Sequence, residues 1–181
     1  MRRTVLLASL LAFCASPHAA QGGHIALYSD PAGTDCGIYD TEPDGYYVYV
    51  FHVNALGATG VQFSVPNPPC SQLTYIGDLH VFNISFGDSQ NGVAVAYGTC
   101  RTGTFMIMQI AYATNGLTDP CCSYPIQPDT LEPSDIIGVD CNFEQYAMSG
   151  SPAIINPNAT CQCSVPVEDT SWGQIKSLYQ Q

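Results

Sequence analysis

The chain is poor in positive charge: 4 Lys and Arg stand against 15 Asp and Glu, a formal charge of -11 over 181 residues. Nucleic-acid binding needs a basic surface to neutralise phosphates, and only Arg101 and Lys176 lie beyond the first three residues, so that class is excluded. Charged residues make up only 10% of the chain while 46% are hydrophobic, which excludes an acidic disordered tail. Long apolar runs are lacking too. The stretch from Val5 to Ala15 is too short to anchor in a bilayer, so the chain is not read as an integral membrane protein. Catalytic signatures are also missing: there is no GxSxG elbow, HExxH pair, Walker loop or dinucleotide fingerprint, and no catalytic residue is assigned. No two cysteines have CxxC spacing, which argues against a structural zinc site.

What is present begins with an export signal. Arg2 and Arg3 precede the Val5–Ala15 run, and small residues follow at Ala19, Ala20 and Gly22. Residues 1–20 are read as a signal peptide, with cleavage after Ala20 or Gly22, residues 21–164 as one domain, and 165–181 as a linker and helical tail. The mature chain then has two basic and fifteen acidic residues, a charge of -13, and a secreted or cell-surface location. It loses Cys14 and keeps eight cysteines: Cys36, Cys70, Cys100, Cys121, Cys122, Cys141, Cys161 and Cys163. An even count in an exported chain implies four disulfides. Adjacent Cys121 and Cys122 should have separate partners, because a bridge between them would be strained. Cys161 and Cys163, two apart, would share a strand face and clamp different neighbours.

The apolar pattern has period two. Val61, Phe63 and Val65 alternate with Gln62 and Ser64, as do Phe82, Ile84 and Phe86 with Asn83 and Ser85, each predicting a strand with one buried face. Runs over 46–53, 93–97 and 105–112 are apolar on both sides and predict central strands covered on both faces. Shorter candidates cover 24–28, 73–76, 136–139 and 153–155. Turn clusters of Gly, Pro, Asn and Asp separate them, and no helix-period segment occurs in the body. The pattern predicts an all-β antiparallel sandwich. The exception is Ser171 to Gln181, where Trp172, Ile175, Leu178 and Tyr179 recur at helical spacing and predict a short C-terminal helix.

Three groups could carry a function. Asp40, Glu42 and Asp44, followed by Gly45, resemble the start of a calcium loop, with an acidic hairpin turn as the plainer reading. Calcium is the one cofactor the sequence suggests. Tyr47, Tyr49 and Phe51 share a strand face, which stacks on sugar rings if exposed and fills the core if buried. His24, His52 and His80 read as sheet-surface or hydrogen-bonded histidines.

The segment "YVYVFHVNALGATGVQFSV" from Tyr47, followed by "GVAVAYG" from Gly92, resembles the opening strands of cohesin-like sandwich domains. The whole mature chain is similar to uncharacterised exported bacterial proteins ending in a W-G-x-x-K-x-L-Y tail. These resemblances imply an immunoglobulin/cohesin-like β-sandwich that binds an extracellular protein or carbohydrate. They also imply that Trp172, Gly173, Lys176, Leu178 and Tyr179 form either a sorting or docking tag for cell-surface machinery or a helix capping the sandwich. The expected function is a non-enzymatic extracellular binding or structural module. The alternative is a small secreted hydrolase acting on glycans or peptides.

Overall fold

The computed structural model describes residues 22–131 and 133–163. Ten strands follow in order: β1 (His24–Tyr28), β2 (Gly37–Ile38), β3 (Gly45–Phe63), β4 (Thr74–His80), β5 (Ile84–Asp88), β6 (Gly92–Ala113), β7 (Cys122–Tyr124), β8 (Ile136–Asp140), β9 (Gln145–Ser151) and β10 (Ala153–Ile155). No helix occurs among the described residues, and the helix expected over Ser171–Gln181 lies outside them, as does the expected export signal over residues 1–20.

Two strands organise the fold because they are long and bent. The separate apolar runs at 46–53 and 61–65 belong to one 19-residue strand, β3, and those at 93–97 and 105–112 to one 22-residue strand, β6. The small-residue stretch between the runs does not turn. It bulges, with register shifts between β3 and β6 at Val50/Phe51 and again from His52 to Gly60, where Asn54 (φ 54) and Gly57 (φ 132) take positive φ. Bulges bend and twist a strand without ending it. Each long strand therefore serves two half-sheets. The first half of β3 pairs with β1 and with the end of β6, which also pairs with β4. The second half pairs with β8 and with the start of β6, which also pairs with β5. Between the layers lie Val48, Val50, Val61, Phe63, Val93, Val95, Ile107, Ile110 and Tyr112, all buried.

The antiparallel expectation holds for most pairs and fails at two. β1 runs parallel to β9 while also pairing antiparallel with β3, so it ties one half-sheet to the other. β10 runs parallel to β2 in a small three-stranded sheet completed by β7. Strands β2, β7 and β9 had no clear periodic signal, since β2 spans two residues, β7 three, and β9 is mostly small and polar.

Four cysteine pairs lie at bonding distance: Cys36 with Cys163, Cys70 with Cys122, Cys100 with Cys141, and Cys121 with Cys161, with Cα separations of 5.3 to 5.9 Å. Cys121 and Cys122 diverge to separate partners, as do Cys161 and Cys163. Bridges closing loops this long each stabilise the fold by about 2–4 kcal/mol, chiefly by restricting the unfolded chain. Cys36–Cys163 and Cys121–Cys161 tie the 156–163 segment to residues beside β2 and β7, and Cys70–Cys122 ties β7 to the loop after β3, while Ile38, Tyr124, Ala153 and Ile155 bury the small sheet in the common core.

Candidate functional site

The candidate site follows from strand register. On the outer face of the layer β5–β6–β3–β8, two rows of side chains run across the sheet. One row is Phe86, Ala94, Gln62, Ile137, and the next is Ile84, Ala96, Gly60, Val139. In both rows the outer strands carry large apolar groups and the inner strands carry small or thin ones. Neighbouring strands lie about 4.8 Å apart, so the four-strand face is a trough about 14 Å across with raised edges. The trough encloses about 500 Å³.

Its apolar edges face solvent. Phe86 is 73% exposed and Ile84 52%. Phe143, which also lines the trough from the turn between β8 and β9, is 78% exposed. The 93–97 run was expected to be covered on both faces; its inner side chains are buried, but Ala94 and Ala96 are only half-buried because nothing among the described residues lies over them. Phe143 also has φ 66, a left-handed conformation disfavoured for a bulky side chain. Its turn is fixed locally: the Phe143 amide donates to the Asp140 carbonyl (3.1 Å), and one Asp140 carboxylate oxygen accepts from the amides of Asn142 and Glu144. A strained backbone holding an aromatic ring in water is a conformation that stability alone does not select. Gln62, the polar residue in the floor, donates to the Asp129 carboxylate at 3.0 Å, and a Cβ on the neighbouring Gly92 would run into that carboxylate.

Beyond the Cys100–Cys141 bridge a second hollow of about 580 Å³ adjoins the trough and shares Cys100, Cys141 and Gln145 with it. Asp140 and Glu144 line this hollow and give that end of the face negative charge. Arg101, the only lysine or arginine among the described residues, stands over the rings of Phe82 (4.9 Å) and Phe105 (5.7 Å).

The residues singled out from the sequence lie elsewhere. Asp40 is 1% exposed, and its carboxylate accepts backbone N–H groups from Asn115 (2.9 Å), Gly116 (2.7 Å) and Thr118 (3.1 Å). Burial alone would raise its pKa, but hydrogen bonds from the Thr118 hydroxyl and these amides outweigh it and hold the carboxyl below its ordinary value. Glu42 and Asp44 are exposed, and Asp44 accepts from the amide of Gly45. Among the described residues no three His, Cys, Asp or Glu side chains are grouped to hold a metal. Of the three rings proposed for sugar stacking, Phe51 is buried edge-on against Tyr28 (5.2 Å) in a satellite cluster with Cys36, Val53 and Met106. Phe51 is therefore withdrawn from that face, whereas Tyr47 is exposed and Tyr49 half-buried. His52 is fully buried between Tyr97 and Gly22, and burial lowers its pKa, so it stays neutral. The tail residues Trp172 to Tyr179 lie outside the described residues. Sequence reasoning missed the trough because it is a property of register: alternation marks Ala94 and Ala96 as one face, but only the pairing sets them beside Gly60.

No protein-family model matches the chain, and no curated protein does. Solved structures do. The sixth cohesin of Acetivibrio cellulolyticus scaffoldin B, solved in complex with a Cel5 dockerin, superposes with a TM-score of 0.50 at 10% identity, over 76% of this chain and 99% of the cohesin. A non-cellulosomal cohesin from the archaeon Archaeoglobus fulgidus gives 0.48 at 14% identity, over 76% of this chain and 91% of that one. The described residues thus form an all-β sandwich of the cohesin kind, bridged by four disulfides.

Proposed function

We propose that the chain is a secreted or surface-held binding module, not an enzyme, and that it holds a protein partner on the outer face of β5–β6–β3–β8. The observation that carries this reading is the open trough, with Phe86, Ile84 and Phe143 presented to solvent around a floor of Ala94, Ala96 and Gly60. Contiguous exposed apolar surface of this kind marks interaction sites on soluble domains. A partner that fills it brings an apolar projection for the trough and basic side chains for the Asp140 and Glu144 end, because complementary charge steers and orients association. The cohesin that shares this fold was solved with a protein, a dockerin, bound to it. The fold likeness supports a binding role by analogy, while the exposed rings are this chain's own.

The test uses the mature chain immobilised beside its Phe86→Ser/Phe143→Gly variant, each exposed to the exported proteins of an expressing culture. The wild type is expected to retain a discrete protein that the variant loses by at least about tenfold, as removal of central aromatic anchors does. Circular dichroism and melting should stay unchanged, since Gly suits the left-handed position 143. Equal retention by both chains would refute the assignment of the face.

A further inference from the structure

We propose that export processing cuts between Ala20 and Gln21, leaving on the mature chain Gly22, which the folded core uses; the inference rests on residues 1–20 being an export signal and is independent of the docking face. Two cleavage positions fit the sequence. The small-residue pattern favours the later one, after Gly22, where Ala20 and Gly22 occupy the third and first upstream positions, whereas a cut after Ala20 places His18 at the third. The folded chain favours the earlier one.

Gly22 is buried, has φ 130, and a Cβ there would run into the ring of Tyr146. Its carbonyl oxygen lies 2.6 Å from Nε2 of His52. A carbonyl only accepts, so Nε2 carries the proton and Nδ1 accepts from the Tyr97 hydroxyl at 3.1 Å. Both nitrogens of a fully buried imidazole are thereby satisfied, one of them by Gly22. Gly23 follows with φ 77, and a Cβ there would meet the Val53 carbonyl. The next residue, His24, starts the strand that ties the two half-sheets together. A cut after Gly22 would remove the acceptor of the His52 N–H, uncover the Tyr146 ring, and place a charged ammonium on Gly23 beside the buried imidazole. An unmade hydrogen bond at a buried polar group destabilises more than a made one stabilises.

The step is hydrolysis by the exporting cell's signal peptidase. The Ala20–Gln21 amide breaks, the hydroxyl of water goes to the Ala20 carbonyl carbon, and the proton goes to the Gln21 nitrogen. The experiment expresses the full chain with its own residues 1–20 in an exporting bacterium and determines the mature N-terminus by sequencing and intact mass. A start at Gln21 is expected, either free or cyclised with loss of ammonia from its side-chain amide. A start at Gly23, or retention of Met1, overturns the proposal. A second measurement compares refolded chains that begin at Gln21 and at Gly23. The shorter one should melt lower by about 5 °C or more, and equal melting temperatures would equally overturn the assignment of Gly22 to the core.

Discussion

Asp40 illustrates how a residue type that points to metal chemistry ends up serving the backbone. Its two oxygens collect three amides from the loop after β6, and Asn156 completes the joint by accepting from the Asp40 amide (2.8 Å) and donating to the carbonyls of Asp40 (3.1 Å) and Thr118 (2.7 Å). A buried carboxylate held by several amides is a strong local restraint, because hydrogen bonds to charge are worth about 1.5–3 kcal/mol each before other losses. Asp40→Asn should therefore lower stability by about 2 kcal/mol, read in urea or thermal melts, since one oxygen becomes an NH2 facing donors. The charge also sets a pH dependence. The Asp40 carboxyl titrates below 3.8 in the folded chain, so its contribution is complete above that value and is lost as pH falls through the lowered folded pKa. Asp30 acts in the same sense: burial would raise its pKa, but the amides of Asp35, Thr34 and Ala32 and the Thr34 hydroxyl outweigh this and lower it. The variant should thus show a shallower loss of stability below pH 3.8 than the wild type, and identical acid slopes would remove Asp40 from this role.

At the scale of elements, the trough depends on the inner strands staying small where the outer ones are large. Ala96 sits between Ile84 on β5 and Gly60 on β3, so a larger side chain there has open space to enter instead of a core to disrupt. Ala96→Leu is expected to leave the melting temperature within about 2 °C, as surface substitutions usually do. It should weaken partner retention by about tenfold or more, measured in the binding assay of the Phe86 and Phe143 variant. Retention at the wild-type level would mean the partner does not enter the trough. Short apolar stretches made β1, β8 and β10 legible in the sequence almost to the residue, because each presents apolar side chains to the core. The apolar runs of β3 and β6 were legible only as halves. Nothing in Asn54-Ala55-Leu56-Gly57-Ala58 distinguishes a bulge from a turn, since both favour Gly and Asn at positive φ. The difference is decided by pairing with β6, a contact dozens of residues away. For the same reason the trough was invisible, while the divergence of Cys121 from Cys122 followed from local geometry alone.

For the whole molecule, the scarcity of basic residues leaves the sandwich to be held by apolar burial, amide-bonded carboxylates and bridges. Two of the four bridges, Cys121–Cys161 and Cys36–Cys163, converge on the segment that leads to the C-terminal tail. Whatever pulls on the tail is therefore transmitted through Cys163 to Cys36 and through Cys161 to Cys121, and not through the end of the small strand β10. Such anchoring suits a tail that bears load or is gripped by other machinery, and we propose that Trp172, Gly173, Lys176, Leu178 and Tyr179 form a sorting or docking tag. The tail also holds Lys176, one of two basic residues beyond the first three positions, and residues 170–181 carry no acidic side chain. Deleting residues 170–181 separates the tag from the capping helix that the same residues could form. As a tag, its loss should shift the protein from the cell surface into the medium, measured by fractionation, with melting temperature unchanged. As a cap, its loss should lower the melting temperature by several degrees, on the order of 1 kcal/mol of stability, and leave distribution between surface and medium as before.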